Sequence, residues 1–159
     1  GDDLNFIYNT NATGYIRNSK LTGQGNGRTN FTNGQVTIDE CDITLKNRNH
    51  SLCHYTTNTE RKLCSLRDCT INYTASTYLT FGKIEGCFFI NTVTAVSSSE
   101  NNKLQILCPT QMIGNTFIGR SEMNFNSNKV QFIGNAMQYS QSYTSFPTGS
   151  VNTGTMITG

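Results

Sequence analysis

The sequence predicts an all-β chain wound into a right-handed parallel β-helix, a solenoid of about six coils. Three observations predict it: a short phrase that keeps returning, a composition too poor in apolar residues for a thick core, and the absence of any helical stripe. The phrase is clearest at Ile38-Asp39-Glu40-Cys41-Asp42-Ile43 and Leu66-Arg67-Asp68-Cys69-Thr70-Ile71. An apolar residue opens it, a small residue stands at plus three, and a second apolar residue stands at plus five. Further copies are Ile16/Ser19/Leu21, Ile84/Cys87/Phe89, Met112/Asn115/Phe117 and Phe132/Asn135/Met137. The opening residues lie 22, 28, 18, 28 and 20 positions apart. A unit of that size is the mark of stacked repeats, and its unequal length suits a β-helix better than a repeat of fixed period.

Composition agrees. Hydrophobic residues make up 35% and charged residues 14%, with only two prolines. A solenoid needs only a narrow apolar column, and its Asn, Thr, Ser and Gly fill turns and outer faces. No window carries apolar residues at i, i+3, i+4 and i+7, whereas period-two alternation runs on through Ile43/Leu45, Ile71/Tyr73 and Met137/Tyr139. A β-sandwich whose strands share a pattern by coincidence is the competing architecture.

Taken in order, Leu4-Asn5-Phe6-Ile7-Tyr8 reads as a strand, and Gly23-Gln24-Gly25-Asn26-Gly27 closes the first repeat as a turn. The likeness of residues 30–38 to residues 124–132, each with a Phe before a polar turn, predicts strand, turn, strand within each coil. The two long intervals contain His50 through Arg61 and residues 97–102, which are expected to leave the stack as loops. The β-helical domain is placed at 1–139. Residues 140–159, rich in Ser, Thr and Gly, form a terminal cap, an extended strand or a linker.

Stacking the copies predicts two buried files: Ile16, Ile38, Leu66, Ile84, Met112 and Phe132, then Leu21, Ile43, Ile71, Phe89, Phe117 and Met137. Between them the Ser/Cys/Asn slot forms an interior ladder in which Asn amides bond up and down the column. A bridge between rungs is sterically possible at a spacing of about 4.8 Å. Ser and Asn in the same slot favour buried free thiols instead, as expected of synthesis in a reducing cytosol.

The net charge of +2 comes from scattered residues with no basic run, so nucleic acid is not an expected partner. No stretch is long and apolar enough for membrane insertion, and no signal peptide is visible. At plus two the copies place Glu40 and Asp68 as neighbours on one face, about one strand spacing apart. That approaches the roughly 5 Å separation of a retaining glycosidase pair, so these two are the candidate catalytic residues. Asp39, Asp42 and Glu85 lie close in the alignment. A sugar cleft, a Ca²⁺ site and a solvated outer strand offset by Arg17, Lys20 and Arg67 are all compatible with them. Tyr55, Tyr73 and Tyr78, together with Arg67, Asp39 and Glu85, are the candidate carbohydrate-binding residues; Phe81 and Tyr139 are further aromatics. His50, Cys53, His54 and Cys64 do not match a zinc spacing, so no metal and no cofactor is assigned. Four Asn-x-Ser/Thr sequons, at Asn11, Asn30, Asn49 and Asn72, are expected by chance in so Asn- and Thr-rich a chain.

Residues 84–91, 112–119 and 132–137 resemble coils of the pectate-lyase-like right-handed β-helices. The Asn/Thr/Gly-rich character over residues 15 to 139 is most similar to bacteriophage tailspike and tail-fibre proteins. That resemblance implies a homotrimer of side-by-side solenoids in the virion tail that recognises, and sometimes cleaves, bacterial cell-surface polysaccharide. It transfers no catalytic motif. A β-helical polysaccharide depolymerase and a bacterial surface adhesin are the other readings, and six coils suggest one module of a longer chain.

Overall fold

The computed structural model describes residues 4–7, 13–23, 29–32, 35–46, 50–53, 64–74, 77–92, 103–106, 108–119, 122–125 and 130–138. Every element among them is a strand, and the strands form three parallel sheets. The first sheet stacks β1 (Leu4–Ile7), β4 (Thr29–Thr32), β7 (His50–Cys53), β10 (Thr77–Leu79), β13 (Lys103–Ile106) and β16 (Glu122–Phe125). The second stacks β2 (Thr13–Arg17), β5 (Gln35–Asp39), β8 (Ser65–Arg67), β11 (Lys83–Glu85), β14 (Thr110–Ile113) and β17 (Val130–Ile133). The third stacks β3 (Lys20–Thr22), β6 (Asp42–Leu45), β9 (Thr70–Tyr73), β12 (Phe88–Asn91), β15 (Thr116–Ile118) and β18 (Ala136–Gln138). The chain visits the sheets in one fixed order, which is the arrangement of a parallel β-solenoid.

The phrase therefore spans the corner between the second and third sheets. Its opening residue ends the second sheet's inward file, paired Ile16–Ile38–Leu66–Ile84–Met112–Phe132. Its plus-five residue forms the third sheet's file, Leu21–Ile43–Ile71–Phe89–Phe117–Met137. Both expected files are present, and all their members except the partly buried Ile16 are buried. Parallel strands align like positions at each rung, so one substitution type repeats along a whole column. The rings of Phe89 and Phe117 stack at 5.1 Å between centroids, and Phe117 and Phe132 at 5.8 Å.

The plus-two residue turns the corner in the left-handed region. Asn18, Glu40 and Asp68 have φ of 49°, 50° and 49°, and Gly86, Gly114 and Gly134 have 64°, 62° and 60°. Glycine, Asn and Asp tolerate that conformation best, which accounts for the residue choice; Glu40 is the member least suited to it. Backbone bonding continues through the bend: Glu40 N donates to Arg67 O at 3.1 Å, Asp68 N to Glu85 O at 3.0 Å, and Gly86 N to Ile113 O at 3.0 Å.

From Cys41 onward the plus-three slot is the expected interior ladder, while Ser19 in the first coil is only partly buried and its hydroxyl donates to Arg17 O at 2.9 Å. Each rung reaches back to the opening carbonyl of the preceding coil: Cys41 Sγ to Ile16 O, Cys69 Sγ to Ile38 O and Cys87 Sγ to Leu66 O, at 3.7–3.8 Å. Asn115 Nδ2 reaches Ile84 O at 3.0 Å and Asn135 Nδ2 reaches Met112 O at 2.8 Å. The following rung accepts from the backbone N–H below it: Cys41 N to Cys69 Sγ at 3.4 Å, Cys87 N to Asn115 Oδ1 at 2.9 Å and Asn115 N to Asn135 Oδ1 at 2.9 Å. These side chains satisfy buried backbone groups where the bend interrupts the sheets.

Cys41, Cys64, Cys69, Cys87 and Cys108 are buried thiols that form no disulfide among the described residues. Burial raises the Cys41 thiol above its ordinary value, and hydrogen bonding with Cys87 together with burial raises Cys69. The folded chain therefore holds these protons more tightly than the unfolded one, which ionises near 9.0. The stabilisation is complete below that pH and declines as pH climbs toward the folded values. Urea midpoints at about pH 7.5 and about pH 10 are expected to fall more for the native chain than for Cys69→Ser. Equal falls would remove Cys69 from the effect.

Two expectations change. The segment beginning at His50 does not leave the stack at once, because His50–Cys53 is strand β7, pairing with both β4 and β10. Each coil contributes three strands where strand, turn, strand was expected. His54, Tyr55, residues 97–102, Tyr139 and the segment 140–159 lie outside the described residues.

Candidate functional site

The corner of the first three coils opens into a shallow cleft of about 430 Å³ lined by Asn18, Ser19, Lys20, Glu40, Cys41, Asp42, Asp68 and Thr70. Its floor is the buried ladder at Cys41, and its walls are the left-handed corner residues and the first outward position of the third sheet. Side chains at such corners splay outward, so the turn that folds the chain also exposes its carboxylates. Glu40 and Asp68 do share this cleft.

Their immediate partners lie in opposite directions along the axis. Glu40 receives both ends of the Arg17 guanidinium, Nε to Oε2 and Nη2 to Oε1, each at 3.0 Å, in the coil before. This bidentate pairing raises the Arg17 pKa, through the hydrogen bond first and then the charge of Glu40. Asp68 leans toward the coil after, where a Cβ on Gly86 would overlap its Oδ1. The two carboxylates thus flank the cleft, one neutralised and one free of any ion pair among the described residues. Asp42 and Lys20, in register on β6 and β3, are exposed and likewise without an ion pair among the described residues.

A second polar group sits on the outer face of the second sheet, outside the cleft. Asp39 is only 5% exposed there because Tyr15, Arg17 and Arg67 cover it. Tyr15 Oη donates to Asp39 Oδ2 at 2.5 Å, and Arg67 Nη2 donates to the same oxygen at 3.2 Å. The bond to Asp39 raises the Tyr15 phenol above its ordinary pKa. Arg67, with its Nη2 engaged and its buried Nε lacking a partner, is tied into a charge ladder running Arg17–Asp39–Arg67. Such a ladder holds adjacent coils together, since opposite charges on neighbouring strands attract. Glu85 continues the file but pairs with Lys83 at 2.6 Å.

The aromatic candidates are dispersed. Tyr73 is fully buried in the file Leu45–Tyr73–Asn91 and presents no face to a sugar; Phe81 is equally enclosed. The alternation that placed Ile71 in the core places Tyr73 there too. Tyr78 lies half-buried on β10 in the first sheet, away from the cleft. Among the described residues the exposed aromatics are instead Tyr15 and Phe88, at 56% and 48%. Phe88 follows Thr70 in the register of the third sheet and so stands one rung beyond the residues that line the cleft. Its signal in the sequence is the run Phe88-Phe89-Ile90, where two adjacent aromatics on one strand cannot both face inward.

Among the described residues no group of three or more His, Cys, Asp or Glu is placed to hold a metal ion, and no helix is long and apolar enough to cross a membrane. Comparison with protein-family models, curated proteins and solved structures finds no match to this chain.

Proposed function

We propose that this chain is a recognition module of a phage tailspike- or tail-fibre-type appendage: a right-handed, six-coil solenoid that assembles as a homotrimer and engages bacterial surface polysaccharide at its corner cleft. The observation that carries the reading is a change of outer surface along the axis. The first coils present Arg17, Lys20, Glu40, Asp42 and Asp68 around an open cleft. The last two present Ile113 and Ile133, the latter 41% exposed, beside Gly114 and Gly134, which have open space where a side chain would stand. A polar cleft suits a hydroxyl-rich ligand, and an apolar ridge suits a copy of the same chain.

A second reading, a polysaccharide depolymerase with Glu40 and Asp68 as the catalytic pair, is favoured by their sharing of one cleft. The bidentate contact with Arg17 weighs against it, because it occupies both oxygens of Glu40. Incubation with bacterial surface polysaccharide is expected to retain the ligand at full length, and Asp42→Asn with Asp68→Asn to weaken retention by about tenfold. Release of reducing ends that vanishes in Glu40→Gln and Asp68→Asn would replace binding by depolymerisation. No retention at all would remove the cleft from either role.

A further inference from the structure

On the reading of the cleft as a saccharide site, we infer that Phe88 is its stacking platform and that the cleft selects uncharged or amino-bearing sugars over acidic ones. The outward file of the third sheet runs Lys20–Asp42–Thr70–Phe88 in direct register, and the first three line the cleft. Phe88, the next rung, is 48% exposed, although a ring of that size is ordinarily buried. Gly86, two residues earlier, carries no side chain, and Asp68 Oδ1 occupies the space its Cβ would take. The Asp68 carboxylate is thereby set over the coil that carries Phe88. A saccharide of two or more pyranoses lying along the file would rest one apolar face on the ring and give hydroxyls to Thr70 and Asp68. The next ring, about one strand spacing of 4.8 Å further, would reach Asp42, the division of labour expected of a sugar site.

Charge sets the class of sugar. Arg17 neutralises Glu40, which among the described residues lining the cleft leaves Asp42 and Asp68 against Lys20. A uronate would bring its carboxylate against this excess, and like charges brought together disfavour the wrong partner. An ammonium substituent meets the opposite condition.

The test is calorimetric binding of three probes to the full chain: a glucose oligomer, a glucosamine oligomer and a galacturonate oligomer. Expected is binding of the first two, with the galacturonate about tenfold weaker, and that discrimination lost in Asp42→Asn/Asp68→Asn. Phe88→Ala is expected to weaken the bound probes by about three- to tenfold, Phe88→Leu nearly as much, and Phe88→Trp to restore binding. Solution mass is expected to be unchanged in all three Phe88 variants. Undiminished binding by Phe88→Ala overturns the platform while the saccharide reading stands, and so does a loss of mass in that variant, which would place Phe88 between copies. Preference for galacturonate overturns the charge class alone. Binding of none of the probes by the native chain removes the saccharide reading and this inference with it.

Discussion

Asn115→Ala is expected to destabilise the fold by about 2–4 kcal/mol, while Asn115→Cys costs about 1 kcal/mol. Asn115 is buried, donates from Nδ2 to Ile84 O at 3.0 Å and to Asn135 Oδ1 at 2.8 Å, and accepts from Cys87 N at 2.9 Å. Alanine removes all three bonds at once. Cys87 N–H would then be left buried inside the corner, where neither the second nor the third sheet offers an acceptor. Leaving one such group unsatisfied costs about 1–3 kcal/mol, against the smaller net value of a bond removed together with its partner. Cysteine keeps both connections in weakened form, as the longer contacts of Cys41 and Cys69 demonstrate. Urea unfolding followed by circular dichroism reads the difference as a shift of midpoint at constant slope. If alanine and cysteine proved equally mild, the ladder would be filling space and not satisfying the backbone.

Phe117→Ala is expected to cost about 3–5 kcal/mol, the usual range for truncating a buried aromatic. Phe117 is 1% exposed and stands between Phe89 and Phe132, so its removal opens a cavity flanked by two rings that cannot both close on it. The column is narrow, and a gap at one rung weakens the contact between the coils on either side; nearest-neighbour contacts are what hold a solenoid together. Phe117→Ile should cost less, because Ile43 and Ile71 already fill the same file at other rungs. Thermal unfolding of the three chains orders them native, isoleucine, alanine. An alanine variant close to the native midpoint would mean that the Phe file is not the core.

The two buried files were legible from the sequence because opening and plus-five positions hold only apolar residues, and parallel stacking brings like positions together. The ladder was legible for the same reason: Ser, Cys and Asn share small size and hydrogen-bonding capacity, and Asn115 and Asn135 bond along the axis as their amides suggest. The plus-two position was harder. Glu40 and Asp68 read as a shared face, yet what their position has in common with the other copies is the left-handed bend. Asn18 and three glycines at one position carried that signal; the charges of Glu40 and Asp68 obscured it. The strand at His50–Cys53 was hidden because its polar residues do not repeat the phrase. Tyr73 was misplaced through its chemistry, although its alternation with Ile71 already put it inside. Phe88 was legible as outward-facing from its place next to the buried Phe89, but Tyr15 gave little warning, since exposure on a solenoid depends on which neighbours flank a rung, and that emerges only once the coils are in register.

The assembly claim meets its most direct test in the solution mass measured by light scattering, before and after mild denaturant. A stable species of three times 17.6 kDa is expected for the native chain, reduced to the monomer mass in Ile133→Lys. A native chain that runs as a clean monomer would contradict it, leaving an isolated solenoid whose exposed Ile133 does not join copies.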